Sequence, residues 1–319
     1  MRNKCTAVIT ALCFLLPNFV GFCVFTVGPV LFSLTAAFSN WNLMKTVPLQ
    51  FIGLDNFVKL FTEHEFWLYS INTVYLMMGM PIAIGGSLFL AILLGQKLRG
   101  IVVYRTLFYL PSFTAGVALL ILWKALYNPD FGPINVIIEA VLGWLHVSSV
   151  DAPTWLSSTK NVLSLGVEKV GLVAGQFGLG ARDAIIMMGI WTAAGGGNML
   201  LYLAGISNIP QELYEAASID GAGKWAQFRH VTWPQLAPTT FFIVIMSFIG
   251  GLQGGFEQAR VMTMGGPAGT TTTLSYYIYT KAFEEFQIGY ASAVAWILFL
   301  VIFVVTLINW RFGSQYVNE

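Results

Sequence analysis

With 319 residues and a formal net charge of +1, the chain offers nucleic acid no strongly basic face. Its composition excludes more: 56% of residues are hydrophobic, only 10% are Asp, Glu, Lys or Arg, and the mean hydropathy is +0.72. A soluble domain carries about 25% charged residues, so this chain cannot clothe itself for water, and lipid must be its solvent.

The expectation is an all-α polytopic membrane protein, one transmembrane domain over 1–319, because backbone in hydrocarbon must satisfy its own hydrogen bonds. A span needs about 20 mostly apolar residues. Six segments qualify, at 7–38, 72–95, 107–126, 184–206, 239–258 and 291–310. Arg2 and Lys4 ahead of the first run imitate a signal peptide. That run is roughly thirty residues long, against ~7–15 for a signal core, so a retained helix is expected. Cys5, Cys13 and Cys23 lie in or just before it at no disulfide or zinc spacing, and read as small apolar helix residues.

Beyond the first span, Gly53-Leu54-Asp55-Asn56-Phe57 reads as a turn opening a short helix with Phe57, Leu60 and Phe61 on one face. Trp67, Tyr69, Trp144 and Trp155 suit an aromatic belt at the membrane surface. Arg2 and Lys4, then Lys97, Arg99 and Arg105, have no acidic neighbours. The positive-inside rule therefore puts both termini in the cytoplasm and the loop 128–183, with Asp130, Glu139, Asp151, Glu168 and Asp183, outside. Within that loop, Ser158–Ala181 is too interrupted by Glu168 and Lys169 to make a seventh span.

Several chemistries have no carrier. The one Gly-Lys pair, Gly223-Lys224, is followed by Trp225, so no phosphate loop exists and ATP hydrolysis must come from another chain. His64, His146 and His230 are scattered without metal-ligand spacing, so neither a metal nor a catalytic residue is expected. Lys124 and Glu257 lie towards span ends and no charge sits at a span centre, which argues against an ion-coupled carrier. An intramembrane enzyme would need a convergent nucleophile and base, and none is visible. Span five does carry polarity a lipid-facing helix would not need. Gln253 and Glu257 fall on one face at i, i+4, and Asn198 follows Gly195-Gly196-Gly197, where span four can bend. These three either line a path for a polar solute or bond between helices.

The loop 207–236 between spans four and five is polar and long. Ser207 or Asn208 can cap a helix, Pro210 suits its first turn, and Glu212 lies where the helix dipole favours an anion. Leu213, Ala216 and Ala217 share a face. Asp220-Gly221-Ala222-Gly223 breaks the helix, and a second amphipathic helix runs towards Pro234. Such a helix–turn–helix suits a groove on a partner.

Glu215-Ala216-Ala217, three residues, Gly221, nine residues, then Val231-Thr232-Trp233-Pro234 resembles the EAA loop of ABC importer permeases, with Val231 and Trp233 replacing the usual Ile and Leu. The segments Phe51–Phe57, Tyr104–Pro111, Asn198–Gly205, Thr273–Tyr279 and Gly289–Ala293 extend the resemblance to carbohydrate permeases of the maltose and glycerol-phosphate transporter type, the first permease more than the second. Ser158–Ala181 is extra relative to that family's third loop. The resemblance implies a heterodimer with a second permease, two ATPase subunits that hold ATP and Mg, an external solute-binding protein and a carbohydrate cargo. It also implies a place in the prokaryotic cytoplasmic membrane. Glu215, Ala216, Ala217, Asp220, Gly221, Gly223 and Pro234 would form the coupling element to the ATPase. Asn198, Gln253 and Glu257 would line the substrate path.

Overall fold

The computed structural model describes residues 2–44, 48–96, 99–114, 116–146, 152–164 and 176–317. Among these the fold is helical, with only two isolated bridges, Ser39 to Phe51 and Asn161 to Phe177. Five helical runs are long and apolar enough to cross a membrane: Leu12–Ala37, His64–Leu94, Ala181–Ser207, Ala237–Thr263 and Ile288–Arg311. The pair Ile101–Phe113 and Gly116–Leu126, bent by 96°, makes a sixth if it is one span.

The chain divides into two compact units. The first holds Met1–Glu63 and Tyr277–Leu300. It begins with α1 (Arg2–Phe22), a π-helical turn and α2 (Gly28–Ala37), whose outward residues such as Phe14 and Phe25 are about four-fifths exposed (82% and 79%), as a lipid-facing helix requires. Gly53 takes a positive φ of 60° and α3 (Asp55–Thr62) follows, as its sequence suggests. The predicted face is narrower than expected: Leu60 is buried and Phe57 packs on Phe38, while Phe61 is exposed. Asn56 donates to the carbonyls of Ala37 (2.8 Å) and Ser39 (2.9 Å), meeting acceptors that the end of α2 leaves open. The unit also includes the first part of the helix Ile288–Val317.

The second unit holds His64–Tyr276 and Val301–Glu319. In it, α4 (His64–Leu76) runs through one 3-10 turn into α5 (Met80–Leu94). Span two thus starts at His64, two turns before the expected 72. Asn72 looked like a boundary, yet it is fully buried and donates to the carbonyls of Gly269 (2.8 Å) and Thr272 (3.0 Å). A polar residue whose amide N–H groups are both bonded inside the fold no longer marks a span end.

Span three is not the continuous helix expected over 107–126. It is α6 (Ile101–Phe113) and α7 (Gly116–Leu126), parted after Thr114 turns extended at ψ 121°. Pro111, without an N–H, already weakens the last turn of α6. After α7 come α8 (Pro133–Trp144), then α9 (Ala181–Ala194) and α10 (Gly197–Ser207), which together form span four with a break at Gly195-Gly196. A Cβ on Gly195 would strike the backbone carbonyl of Phe108, so glycine there lets α6 come close.

Two readings need correction here. Asp183, assigned to the external loop, is buried in the first turn of α9 and accepts from Tyr75 Oη (2.7 Å) and the Gly180 N–H (3.2 Å). Its neighbour Arg182 donates Nε to the Thr270 carbonyl at 2.8 Å. Trp155 is no belt residue: it is 1% exposed, packs at a tilt against Tyr127 and donates to Asn135. Residues 165–175 of the extra segment, and Lys97 and Asp151, lie outside the described residues.

Candidate functional site

The helix pair after span four is α11 (Gln211–Ile219) and α12 (Lys224–Gln227). Pro210, at φ −57° and ψ 133°, holds the N-cap position. Ser207 and Asn208, expected to cap, instead close α10: the Ser207 hydroxyl bonds back to the Leu203 carbonyl at 2.8 Å. Gly221 has φ 79°, and the N–H groups of Asp220, Gly221 and Ala222 turn back to carbonyls of Ala216, Ser218 and Ala217. This left-handed stop ends α11 where Asp-Gly predicts it. Gly223 is extended at ψ 168° and opens α12.

Three contacts make the pair stiff. Gln227 Nε2 reaches Ser218 Oγ (2.9 Å) and the Ala222 carbonyl (3.1 Å), and Tyr214 Oη meets Thr232 Oγ1 at 2.9 Å. The second helix does not stop near Pro234. It continues through a π turn and α13 (Trp233–Gln235) to Leu236, which is fully buried among Ala91, Met199 and Tyr202 of spans two and four. From there α14 (Ala237–Gln253) enters the membrane run. Glu215, Ala216, Asp220 and Pro234 are exposed, as are Ile219 and Trp225, while Gln211 Nε2 holds the Glu215 carboxylate at 3.0 Å. An apolar and acidic tip on a braced stem is thus presented away from the core.

The second feature is a pair of cavities among the spans. One, of about 350 Å³, lies among α4, α5, α9, α10 and α14, with Thr73, Asn198, Ser247, Gln258 and Thr273 as its polar lining. Glycines on α14 make room for it; a Cβ on Gly251 would come within 2.9 Å of Met77. The other, of about 380 Å³, sits at the α6–α7 break and is lined by Ser112, Thr114, Glu257 and Gln258. Gln258, Gly189 and Ala193 belong to both walls. A larger cavity of about 670 Å³ beside α5 and α14 is lined mainly by apolar groups such as Met78, Ile84 and Phe248, and offers a polar solute little.

Span five departs from the expected geometry. After α14 the chain is extended at Gly254 (ψ −170°) and left-handed at Gly255 (φ 84°), and α15 (Phe256–Gln258) starts a new direction. Gln253 and Glu257 therefore do not share a helical face. Gln253 is exposed and lines neither polar cavity, and its carbonyl accepts the Ser275 hydroxyl at 2.6 Å. Asn198 lines the first cavity and Glu257 the second, with the Glu257 carboxylate against Gly116 at the first turn of α7. Gln258, which joins the two, escaped the sequence reading. The adjacent glycines Gly254-Gly255 were the available signal for a break. Among the described residues no group of three or more His, Cys, Asp or Glu could hold a metal ion.

Comparison with known proteins adds the family. Residues 2–313 match the model of the binding-protein-dependent transport system inner membrane component. The probable ABC transporter permease protein YesP of Bacillus subtilis is 34% identical over 310 residues, covering 96% of this chain and 90% of that protein. The sn-glycerol-3-phosphate transport system permease protein UgpA of Yersinia pestis is 30% identical over 272 residues, covering 84% and 82%. A chain in the crystal structure of a bacterial alginate ABC transporter, in complex with an alginate pentasaccharide-bound periplasmic protein, has the same fold. Its TM-score is 0.78 at 23% identity, over 99% of this chain and 97% of that one. The chain belongs to the binding-protein-dependent transport system inner membrane component family, and is a multi-pass permease of an ABC transporter.

Proposed function

We propose that this permease, paired with a second one, forms the path by which a carbohydrate crosses the prokaryotic cytoplasmic membrane. An external solute-binding protein delivers the cargo, and two separate ATPase subunits bind ATP and Mg and supply the energy. The observation that carries the cargo reading is the first cavity. Two amides, Asn198 and Gln258, and the hydroxyl residues Thr73, Ser247 and Thr273 line it, with no basic side chain among the described lining residues. Amide and hydroxyl groups that both donate and accept suit sugar hydroxyls. UgpA and the alginate transporter, named for a polyol phosphate and a polysaccharide, support the same class. Glu257 and Gln258 extend the path towards the α6–α7 break.

The coupling element is 207–236. Its exposed tip, with Glu215, Ala216, Ala217, Asp220 and Gly221, docks on the ATPase, while Gly223 and Pro234 keep the second helix in line with span five. The absence of a phosphate loop from the sequence supports placing the nucleotide on the partner. Six crossings put both termini and this loop in the cytoplasm, a reading supported by the acid-free basic residues Arg2, Lys4, Arg99 and Arg105.

Uptake by the reconstituted complex tests the cargo path. Asn198→Ala and Gln258→Ala each remove one hydrogen-bonding group, worth about 0.5–1.5 kcal/mol, so each should raise the KM for uptake several-fold with assembly intact. Unchanged KM and unchanged cargo preference in both would show that these amides serve only packing.

A further inference from the structure

We propose that α8 is an interfacial membrane helix, whose outward face of Val136, Ile137, Val141 and Trp144 lies in lipid at the boundary of acyl chains and headgroups. The inference rests on the chain being a membrane protein and not on the identity of its cargo. Its sequence, PINVIIEAVLGW, is apolar all round with a single charge, Glu139. At 1.5 Å per residue twelve residues reach about 18 Å, too short for a hydrocarbon core of about 30 Å. Helices of this length and character are buried or interfacial.

One face is already buried. Ile134 and Ile138 pack against the cluster of Leu120, Tyr127, Trp155, Ile185 and Met188. Asn135, 4% exposed, pins the helix by donating to the carbonyls of Pro129 and Pro153 (both 3.1 Å) and accepting from Trp155 Nε1 at 2.5 Å. So fixed, α8 cannot roll its other face inward. Val136, Ile137, Val141 and Trp144 remain 48–79% exposed, with Phe131 beside them at 72%.

Depth decides what covers that face. Leu120 lies six residues before the end of α7 and Met188 seven after the start of α9, which at 1.5 Å per residue is about 9–10 Å inside the spans. A helix packed on that cluster sits at the level of the span ends, not out in water. The outward residues of α7, Val117, Ile121 and Leu122, are about half exposed (49–57%) on one helix of the bent apolar pair, a surface suited to lipid that the face of α8 would continue. Glu139 falls between the two faces by helical periodicity, where water reaches it. An indole such as Trp144 favours the headgroup level. A docking surface for a soluble protein would carry a polar, charged rim; among the described residues of α8 the one charge is Glu139, at the edge of this face.

The test uses the whole transporter in nanodiscs, with Cys5, Cys13 and Cys23 replaced and single cysteines at Ile137 and Val141 carrying a nitroxide. An Asp55→Cys label, on an exposed residue, is the aqueous reference. The proposal expects collision with oxygen to rise and collision with a water-soluble nickel relaxant to fall several-fold relative to Asp55→Cys, with or without the binding protein. Exposure to nickel equal to the reference overturns it. Protection that appears only on adding binding protein also overturns it, and assigns the face to that protein instead. Trp144→Cys labelled with bimane and quenched by brominated lipid gives a second readout; no quenching there counts against the proposal.

Discussion

At the scale of single residues, Glu63 shows how much an unremarkable position can hold. It follows α3, outside the spans, and its Oε2 accepts Tyr290 Oη at 2.5 Å and Tyr277 Oη at 3.0 Å, with Lys59 Nζ 3.5 Å from Oε1. Partial burial pushes its carboxyl up. Hydrogen bonds from the two tyrosines and the charges of Lys59 and Lys281 outweigh that and hold it below the usual carboxylate range. A folded pKa depressed below the unfolded one gives stability that is present above the unfolded value and lost as pH falls through the folded value. Glu63→Gln should therefore lower the Tm of the detergent-solubilised complex near neutral pH, with the gap to wild type closing in acid. A gap of constant size at every pH would show that the charge contributes nothing.

Gly221 belongs to this scale too. No neighbour lies within 4 Å of a Cβ placed there, so the demand for glycine is conformational alone. At φ 79° a β-branched side chain is strained, and the left-handed region costs an L-residue about 1–2 kcal/mol. Gly221→Val should disturb the turn more than Gly221→Asn, since Asn tolerates this region. Protease sensitivity of the 207–236 loop should rank Val above Asn above wild type. Equal sensitivity for Val and Asn would contradict this account of the turn.

At the scale of elements, the apolar runs were legible and their ends were not. A polar residue reads as a boundary only while its partners are unknown. Asn72 and Asp183 are both buried and bonded to chain far away in sequence, so spans two and four each begin earlier than hydropathy suggests. The helix pair was readable to within a residue or two because its punctuation is local: Pro210 before, Asp220-Gly221 between. Breaks inside spans were legible at Gly195-Gly196 but missed at Gly254-Gly255. The consequence fell on the site, since Gln253 turned away and Gln258 turned in.

The break in span five is itself testable. A Cβ on Gly255 would run into the Thr273 side chain, and φ 84° disfavours it further, whereas Gly250 has open space. Gly255→Ala should therefore impair uptake by the reconstituted complex severely, and Gly250→Ala should leave it near wild type. Equal tolerance of both would mean that the break does not shape the path.

At the scale of the whole molecule, the fold joins an exposed helix pair to a partly polar cavity. Leu236, fully buried, ties the braced helix pair to spans two and four, and the same chain continues into span five, whose glycines open the cavity that holds Asn198 and Gln258. A push on Glu215 and its neighbours can thus reach the cavity walls through rigid helix, where a flexible loop would absorb it. Composition alone disclosed the membrane, and the EAA-like spacing disclosed the family. The cavities were hidden because they depend on backbone breaks that bring distant segments together.

The most direct measurement of this claim is ATP hydrolysis by the reconstituted complex with loaded binding protein, for Glu215→Lys and Gly221→Val, alongside co-purification of the ATPase subunit. Losing a charge-assisted docking contact costs about 1.5–3 kcal/mol. Both variants should insert and pair with the second permease, yet lose cargo-stimulated hydrolysis or retain less ATPase. Wild-type hydrolysis and wild-type ATPase recovery in both variants would contradict the assignment of 207–236 as the coupling element.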